Sequence, residues 1–201
     1  QSQVQMSVDR INQLMSNYKD DSELSLLNRS ELDERFPVSG ETREVLALSA
    51  EIHALSDGAF DISLAPVVEL WGFGPTMTDS KIPSTEVIAE ALSRTGTDGL
   101  ILGDVYVQRT KDISIDLSAI AKGYAVDQVA RLLDRQGHTD YLVEIGGELK
   151  GRGVNQAGKS WRIAIELPDA TKREMHSVIE LRNLGMATSG DYRNYFEVDG
   201  K

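Results

Sequence analysis

The stretch IDLSAIAKGYAVD, residues 115–127, sets one carboxylate (Asp116) and one ammonium (Lys122) on either side of five uncharged residues. An apolar strand is expected to run into Asp116, so that its side chain projects from a sheet rim instead of entering the core. Behind the turn a helix is expected to open at Ser118, with Lys122 in its first or second turn. That is electrostatically the wrong end for a cation, because the helix dipole favours anions there. A cation beside free N–H donors makes sense where a phosphate or another anion binds. Gly123 inside a helix costs about 0.5–1 kcal/mol relative to alanine, which points to close approach by another segment or a ligand. The competing reading is an Asp116–Lys122 ion pair that braces the turn, with Gly123 there for packing, and the residues alone leave both open.

Three further groups carry possible chemistry. Asp61, in DGAFDIS (residues 57–63), is expected within a strand-like apolar run, where an unpaired carboxylate is expensive. Its partners would be backbone N–H groups, a cation, or the hydroxyls and ring N–H groups of a ligand; an ordinary satisfied turn carboxylate is the plainer alternative. Tyr18 ends the first apolar stripe, either as a core residue with a wet tip or as a ring that stacks on a flat heterocycle. Gly146-Gly147 is a weak signal for phosphate approach, since a tight hairpin needs glycine anyway. His53, His138 and His176 share no metal-ligand spacing, and no G-x-S-x-G, G-x-x-x-x-G-K-[ST] or G-x-G-x-x-G occurs.

These residues need elements to hold them. A helical stripe of Val4, Val8, Ile11, Leu14, Met15 and Tyr18 opens the chain, followed by a polar turn in which Asp21 or Ser22 caps a short helical turn. Ser39 caps a helix that Gly58 stops, with Val45, Leu46, Leu48, Ile52 and Leu55 as its apolar face. A short strand and a Pro-containing turn follow, then a helix capped by Ser84 that ends at Gly96. Two or three short strands lead to Asp116, and the helix from Ser118 to about Gln136 buries Ala121, Ala125, Val129, Leu132 and Leu133. The remainder reads as strands joined by turns. NYFEVDG runs into a hairpin-turn signal with no returning strand, so the chain is expected to be part of a longer one. The expected class is α+β, with mixed and largely antiparallel sheets and packed helices, forming one domain over residues 1–201.

Bulk properties narrow the partners. The 201 residues are 40% hydrophobic and 26% charged, ordinary for a globular chain with a real core. Acidic residues outnumber basic ones by 32 to 21, and the formal charge of −11 argues against nucleic acid. There is no cysteine, which rules out disulfides and thiolate chemistry. No run approaches the ~18–20 apolar residues of a membrane span.

The order of the blocks adds what single residues do not. SNYKDDSELSLLN, DGAFDISLAPVVELWGFGP, IDLSAIAKGYAVD, YLVEIGGELKGRG and ATSGDYRNYFEVDGK together resemble the ApbE family of flavin transferases, once labelled thiamine biosynthesis lipoproteins. The resemblance implies an enzyme that binds FAD with Mg²⁺, cleaves the pyrophosphate, and moves FMN to a threonine hydroxyl of a partner protein with release of AMP. It implies that Tyr18 packs against the flavin and that Ala59, Phe60 and Asp61 line the FAD site. Asp116 would hydrogen-bond the dinucleotide, Lys122 would contact FAD, and Ala119 would offer its carbonyl to Mg²⁺. The family's upstream Thr-Met-Gly-Thr segment, its downstream histidine and its Asp/Thr metal segment are not found in residues 1–201. The catalytic residue is therefore expected outside this chain, and residues 1–201 alone are expected to be inactive. The implied acceptors are exported flavoprotein subunits of sodium-pumping or related respiratory complexes, and the implied location is periplasmic, lipid-anchored at the inner membrane. Two alternatives remain from the same residues: an FAD pyrophosphatase that uses water in place of threonine, and a non-catalytic flavin-binding protein.

Overall fold

The computed structural model of the chain describes residues 2–75, 82–167 and 175–190. Its backbone divides into two units, Asp9–Ala121 and the pair of segments Gln1–Val8 and Lys122–Lys201. The helix α1 (Gln3–Met15) starts in the second and ends in the first, where Ile11, Leu14 and Met15 are buried.

Within Asp9–Ala121, serine side chains open three helices. Ser22 Oγ accepts the Ser25 N–H at 3.0 Å to start α2 (Glu23–Arg29), so Ser22 and not Asp21 is the cap. After the short strand β1 (Phe36–Pro37), Ser39 accepts the Thr42 N–H at 3.2 Å to start α3 (Gly40–Leu55). The Glu23 carboxylate takes both the N–H and the O–H of Ser39, tying one helix start to the other. Beyond α4 (Ala65–Leu70), Ser84 caps α5 (Thr85–Ser93). Then β2 (Leu100–Leu102) and β3 (Tyr106–Arg109) join β1 in an antiparallel sheet ordered β1-β3-β2.

Three expectations need correction here. The inward face of α3 is Thr42, Val45, Leu46 and Ser49, whereas Leu48 and Leu55 are 42% and 80% exposed. The i, i+3, i+4, i+7 spacing is kept, but hydroxyl residues fill two of its positions, and Ser49 satisfies its buried hydroxyl on the Val45 carbonyl at 2.8 Å. No strand forms over residues 59–64; Asp61 sits in a turn and α4 follows at once with Pro66 in its first turn. The segment before Asp116 is extended but lies in no sheet ladder; its one bridge pairs Ser114 with Leu64.

The helix α6 (Ala121–Arg135), whose first residue ends the first unit and whose remainder lies in the other, begins three residues later than expected. The Asp116 carboxylate accepts the Ser118 N–H at 2.7 Å, and the turn it holds delays the helix. Its buried set is Tyr124, Ala125, Val126, Val129 and Ala130, with Leu132 and Leu133 only half-buried. Val126, Val129 and Ala130 pack with Tyr141 and Val143 of β4 (Tyr141–Ile145). β4 turns through Gly146 and Gly147, at φ +59 and +97, into β5 (Glu148–Arg152); these left-handed values suit glycine, as the hairpin reading requires. Then β6 (Trp161–Glu166), β7 (Met175–Leu181) and β8 (Leu184–Met186) complete antiparallel sheets ordered β4-β5-β8 and β6-β7. The α+β class with small antiparallel sheets is therefore observed. The NYFEVDG strand and its turn lie outside the described residues. Among the described residues, no helix is long and apolar enough to cross a membrane.

Candidate functional site

Residues 113–117 follow a two-residue alternation. Ile113, Ile115 and Leu117 are buried, while Ser114 and Asp116 face the other way and line a pocket of about 220 Å³. No strand supplies the hydrogen bonds that such an extended segment needs. Around Asp116 they come instead from a side chain and a loop carbonyl. The Asn28 carboxamide, near the end of α2, accepts the Ile115 N–H and donates to the Ile115 carbonyl, both at 2.8 Å. The Ile62 carbonyl accepts the Asp116 N–H at 2.7 Å. Asp116 is thus presented by a backbone in which its own N–H and both polar groups of Ile115 have partners.

α1, α2 and the cap of α2 together fix the loop that carries Tyr18. Arg29 donates to the Asp20 carbonyl, Ser22 Oγ donates to the Ser16 carbonyl at 2.7 Å, and Gln13 donates to the Asp21 carbonyl at 2.8 Å. On this fastened loop the Tyr18 ring is 70% exposed, so it is no core residue. A ring held out on an ordered loop binds a flat partner without first having to order the backbone. Asn17 and Asp20 of the loop line the pocket together with Asn28, Arg29, Glu69 and Asp116. A second hollow of about 270 Å³, between α4 and α5, shares Glu69 and Ser114 as walls. Each is smaller than the roughly 300–1,000 Å³ of a typical small-molecule site, and suits one ring or one phosphate group at a time.

Asp61 lies beside this segment through its neighbour Ile62. Its Oδ1 accepts the Ser63 N–H at 2.7 Å, the Ser63 hydroxyl at 2.6 Å and the Thr97 hydroxyl at 2.9 Å. Burial by itself would raise this carboxyl; the hydrogen bonds from Ser63 and Thr97, with His53 nearby, outweigh it and hold the group below the usual aspartate value. His53 Nδ1 donates to the Phe60 carbonyl at 2.7 Å, which fixes its tautomer and the turn that exposes Ala59. A depressed carboxyl contributes stability that is fully present above the unfolded aspartate value, about 3.9. That contribution is lost as pH falls through the lower folded value. Asp61→Asn is therefore expected to lower stability by about 1 kcal/mol at neutral pH, and the gap should close below about pH 4. Urea melts of both proteins from pH 3 to 7 check this; a gap that widens in acid would refute the assignment.

The chain matches the model of the ApbE family over residues 1–201. It belongs to the ApbE family. It is similar to the FAD:protein FMN transferase of Vibrio cholerae, 41% identical over 100% of this chain and 60% of that protein. To the protein of the same name in Escherichia coli it is 40% identical, over 98% of this chain and 58% of the relative. The solved structure titled Flavin Transferase ApbE from Vibrio cholerae superposes with a TM-score of 0.88 at 37% identity, covering 97% of this chain and 63% of that one. The chain thus spans about three-fifths of the length of the curated relatives it matches.

Of the residues the ApbE resemblance singles out, Tyr18, Ala59, Phe60, Asp61, Asp116 and Ala119 fall in one unit and Lys122 in the other. Lys122 pairs with Glu148 at 2.9 Å and donates to the Gly146 carbonyl at 3.2 Å, so its ion pair is with β5. The close approach expected at Gly123, by another segment or by a ligand, is supplied by no segment among the described residues: a Cβ there would meet none of their atoms within 4 Å. Ala119 is exposed in the turn before α6, where its carbonyl would be one oxygen of the about six that magnesium takes. Among the described residues no three acidic or histidine side chains gather to supply the rest, so these residues do not by themselves fit the ion. Asn28 is not singled out by the sequence, because nothing local marks a residue whose partner lies 87 positions away.

Proposed function

We propose that the protein carrying this chain is an FAD:protein FMN transferase. The carrying observation is Asp116, which lines a pocket while its own N–H and both polar groups of Ile115 are hydrogen-bonded, in a chain that matches the ApbE family over residues 1–201. A flavin dinucleotide offers ring and ribose donors that suit this acceptor, and a flat ring system that suits the exposed Tyr18. In the reaction, a threonine hydroxyl oxygen of the acceptor attacks the FMN phosphorus. The pyrophosphate P–O bond breaks, AMP leaves with the bridging oxygen, and the hydroxyl proton is released. Magnesium, when bound, would offset charge on the phosphate oxygens, with ligands beyond the Ala119 carbonyl drawn from outside the described residues. The acceptors we expect are exported flavoprotein subunits of respiratory complexes, and the location is the periplasmic face of the inner membrane through a lipid anchor.

The protein at its natural length, incubated with FAD, Mg²⁺ and such an acceptor, is expected to release AMP and to add one FMN mass to the acceptor threonine. Exchange of that threonine for valine should abolish the mass gain, and EDTA should abolish both products. AMP and free FMN with no mass gain would make it a pyrophosphatase; bound FAD with no AMP would make it a flavin binder.

A further inference from the structure

The carboxamide of Asn28 makes two hydrogen bonds, and both go to the backbone of Ile115, the residue before Asp116. Paired acceptance and donation to one residue is what a neighbouring strand offers in an antiparallel ladder. A side chain here substitutes for a strand, and it does so only at the position that aims Asp116. The other supports of this segment act on either side: the Ile62 carbonyl on the Asp116 N–H, and the buried Arg109 on the Ile113 carbonyl at 2.7 Å. Neither of these fixes both polar groups of one residue. Asn28 also lies within the pocket wall, yet its two polar atoms are turned to the backbone.

We propose that Asn28 is a positioning residue for flavin binding: it sets the direction of the Asp116 carboxylate by clamping Ile115, and acts on the ligand through Asp116. The proposal rests on the flavin reading of the site. Its consequence is non-additivity. Removing the clamp lets Asp116 swing, so Asn28→Ala should weaken FAD binding about tenfold, within the range of coupled neighbours. In a chain that already lacks the carboxylate, the same substitution has nothing left to misdirect.

The test is a double-mutant cycle on the protein at its natural length, with FAD affinity read by flavin fluorescence for Asn28→Ala, Asp116→Ala and the pair. The expected result is a loss of about tenfold from Asn28→Ala alone and less than twofold when Asp116 is already alanine. Amide hydrogen exchange is measured alongside, and the Ile115 N–H should exchange at least about tenfold faster in Asn28→Ala while the α6 amides keep their protection. Asn28→Asp, which preserves volume and can accept but not donate when ionised, provides a second variant should the alanine form fold poorly; it should fall between the two. Equal losses in both backgrounds would show a general structural effect and overturn the proposal, as would unchanged exchange at Ile115. An unsubstituted protein that does not hold FAD overturns the flavin reading itself and the role with it. A failure confined to the Asn28 variants overturns the role alone.

Discussion

Asp116→Asn is expected to weaken FAD binding about 10- to 100-fold while moving the thermal midpoint by no more than about 2 °C. The two effects separate because the carboxylate has two tasks of different demand. Toward the protein it accepts one hydrogen bond, from the Ser118 N–H at 2.7 Å, and an asparagine carbonyl oxygen accepts that bond equally well. The turn before α6 therefore stays formed. Toward the ligand, in the proposed flavin site, the task is charge: hydrogen bonds to an ionised acceptor are worth about 1.5–3 kcal/mol against 0.5–1.5 for neutral pairs. Two such bonds exchanged for neutral ones give the stated range. Asparagine also brings an NH₂ where a ligand donor would sit. If Asp116 served only to brace the turn, the order would reverse, with lower stability and undiminished flavin retention. Calorimetric titration with FAD beside a thermal melt distinguishes the two.

What the sequence made legible was local. Ser39 and Ser84 cap their helices, Gly146-Gly147 makes the hairpin, and the buried–exposed alternation up to Asp116 is present in the residues themselves. The expectations that failed did so where a side chain competes with the backbone. Asp61 alternates with apolar neighbours as in a strand, but its carboxylate takes the N–H two residues on, and this turn prevails over the strand. On α3 the leucine-rich face is the expected inner one, yet Thr42 and Ser49 lie within, because the cap residue Ser39 bonds the Thr42 hydroxyl and the Val45 carbonyl takes that of Ser49. An Asp116–Lys122 ion pair is one of two readings that the sequence leaves open for Lys122. Its actual partner, Glu148, arrives on β5, and no local pattern announces that. The same holds for Asn28.

Arg109, buried in the same unit, makes the second large effect, and it falls on stability where that of Asp116 falls on binding. Arg109 is 5% exposed, and its guanidinium donates to the Ile113 carbonyl at 2.7 Å and to the Ser30 carbonyl at the C-cap of α2. Burial lowers its pKa, which the charge of Asp112 partly offsets. Its stabilising role is thus as a donor set that closes two carbonyls. Arg109→Ala removes both donors and opens a cavity where the stem was. Each orphaned carbonyl costs about 1–3 kcal/mol, and loss of the stem adds to that. A total of about 3–5 kcal/mol is expected, a large part of a typical 5–15 kcal/mol stability. Arg109→Met restores the stem and spares the cost of burying a charge, so it should recover about half of the loss. The expectation is testable by urea unfolding at one pH, with flavin affinity measured below the transition. Arg109→Ala should be far less stable than Asp116→Asn, yet where still folded it should bind FAD better than Asp116→Asn does, because Asn28 continues to hold Ile115. If Arg109→Met were as stable as the unsubstituted chain, the two carbonyls would have found other donors, and the guanidinium would have no structural task at α2.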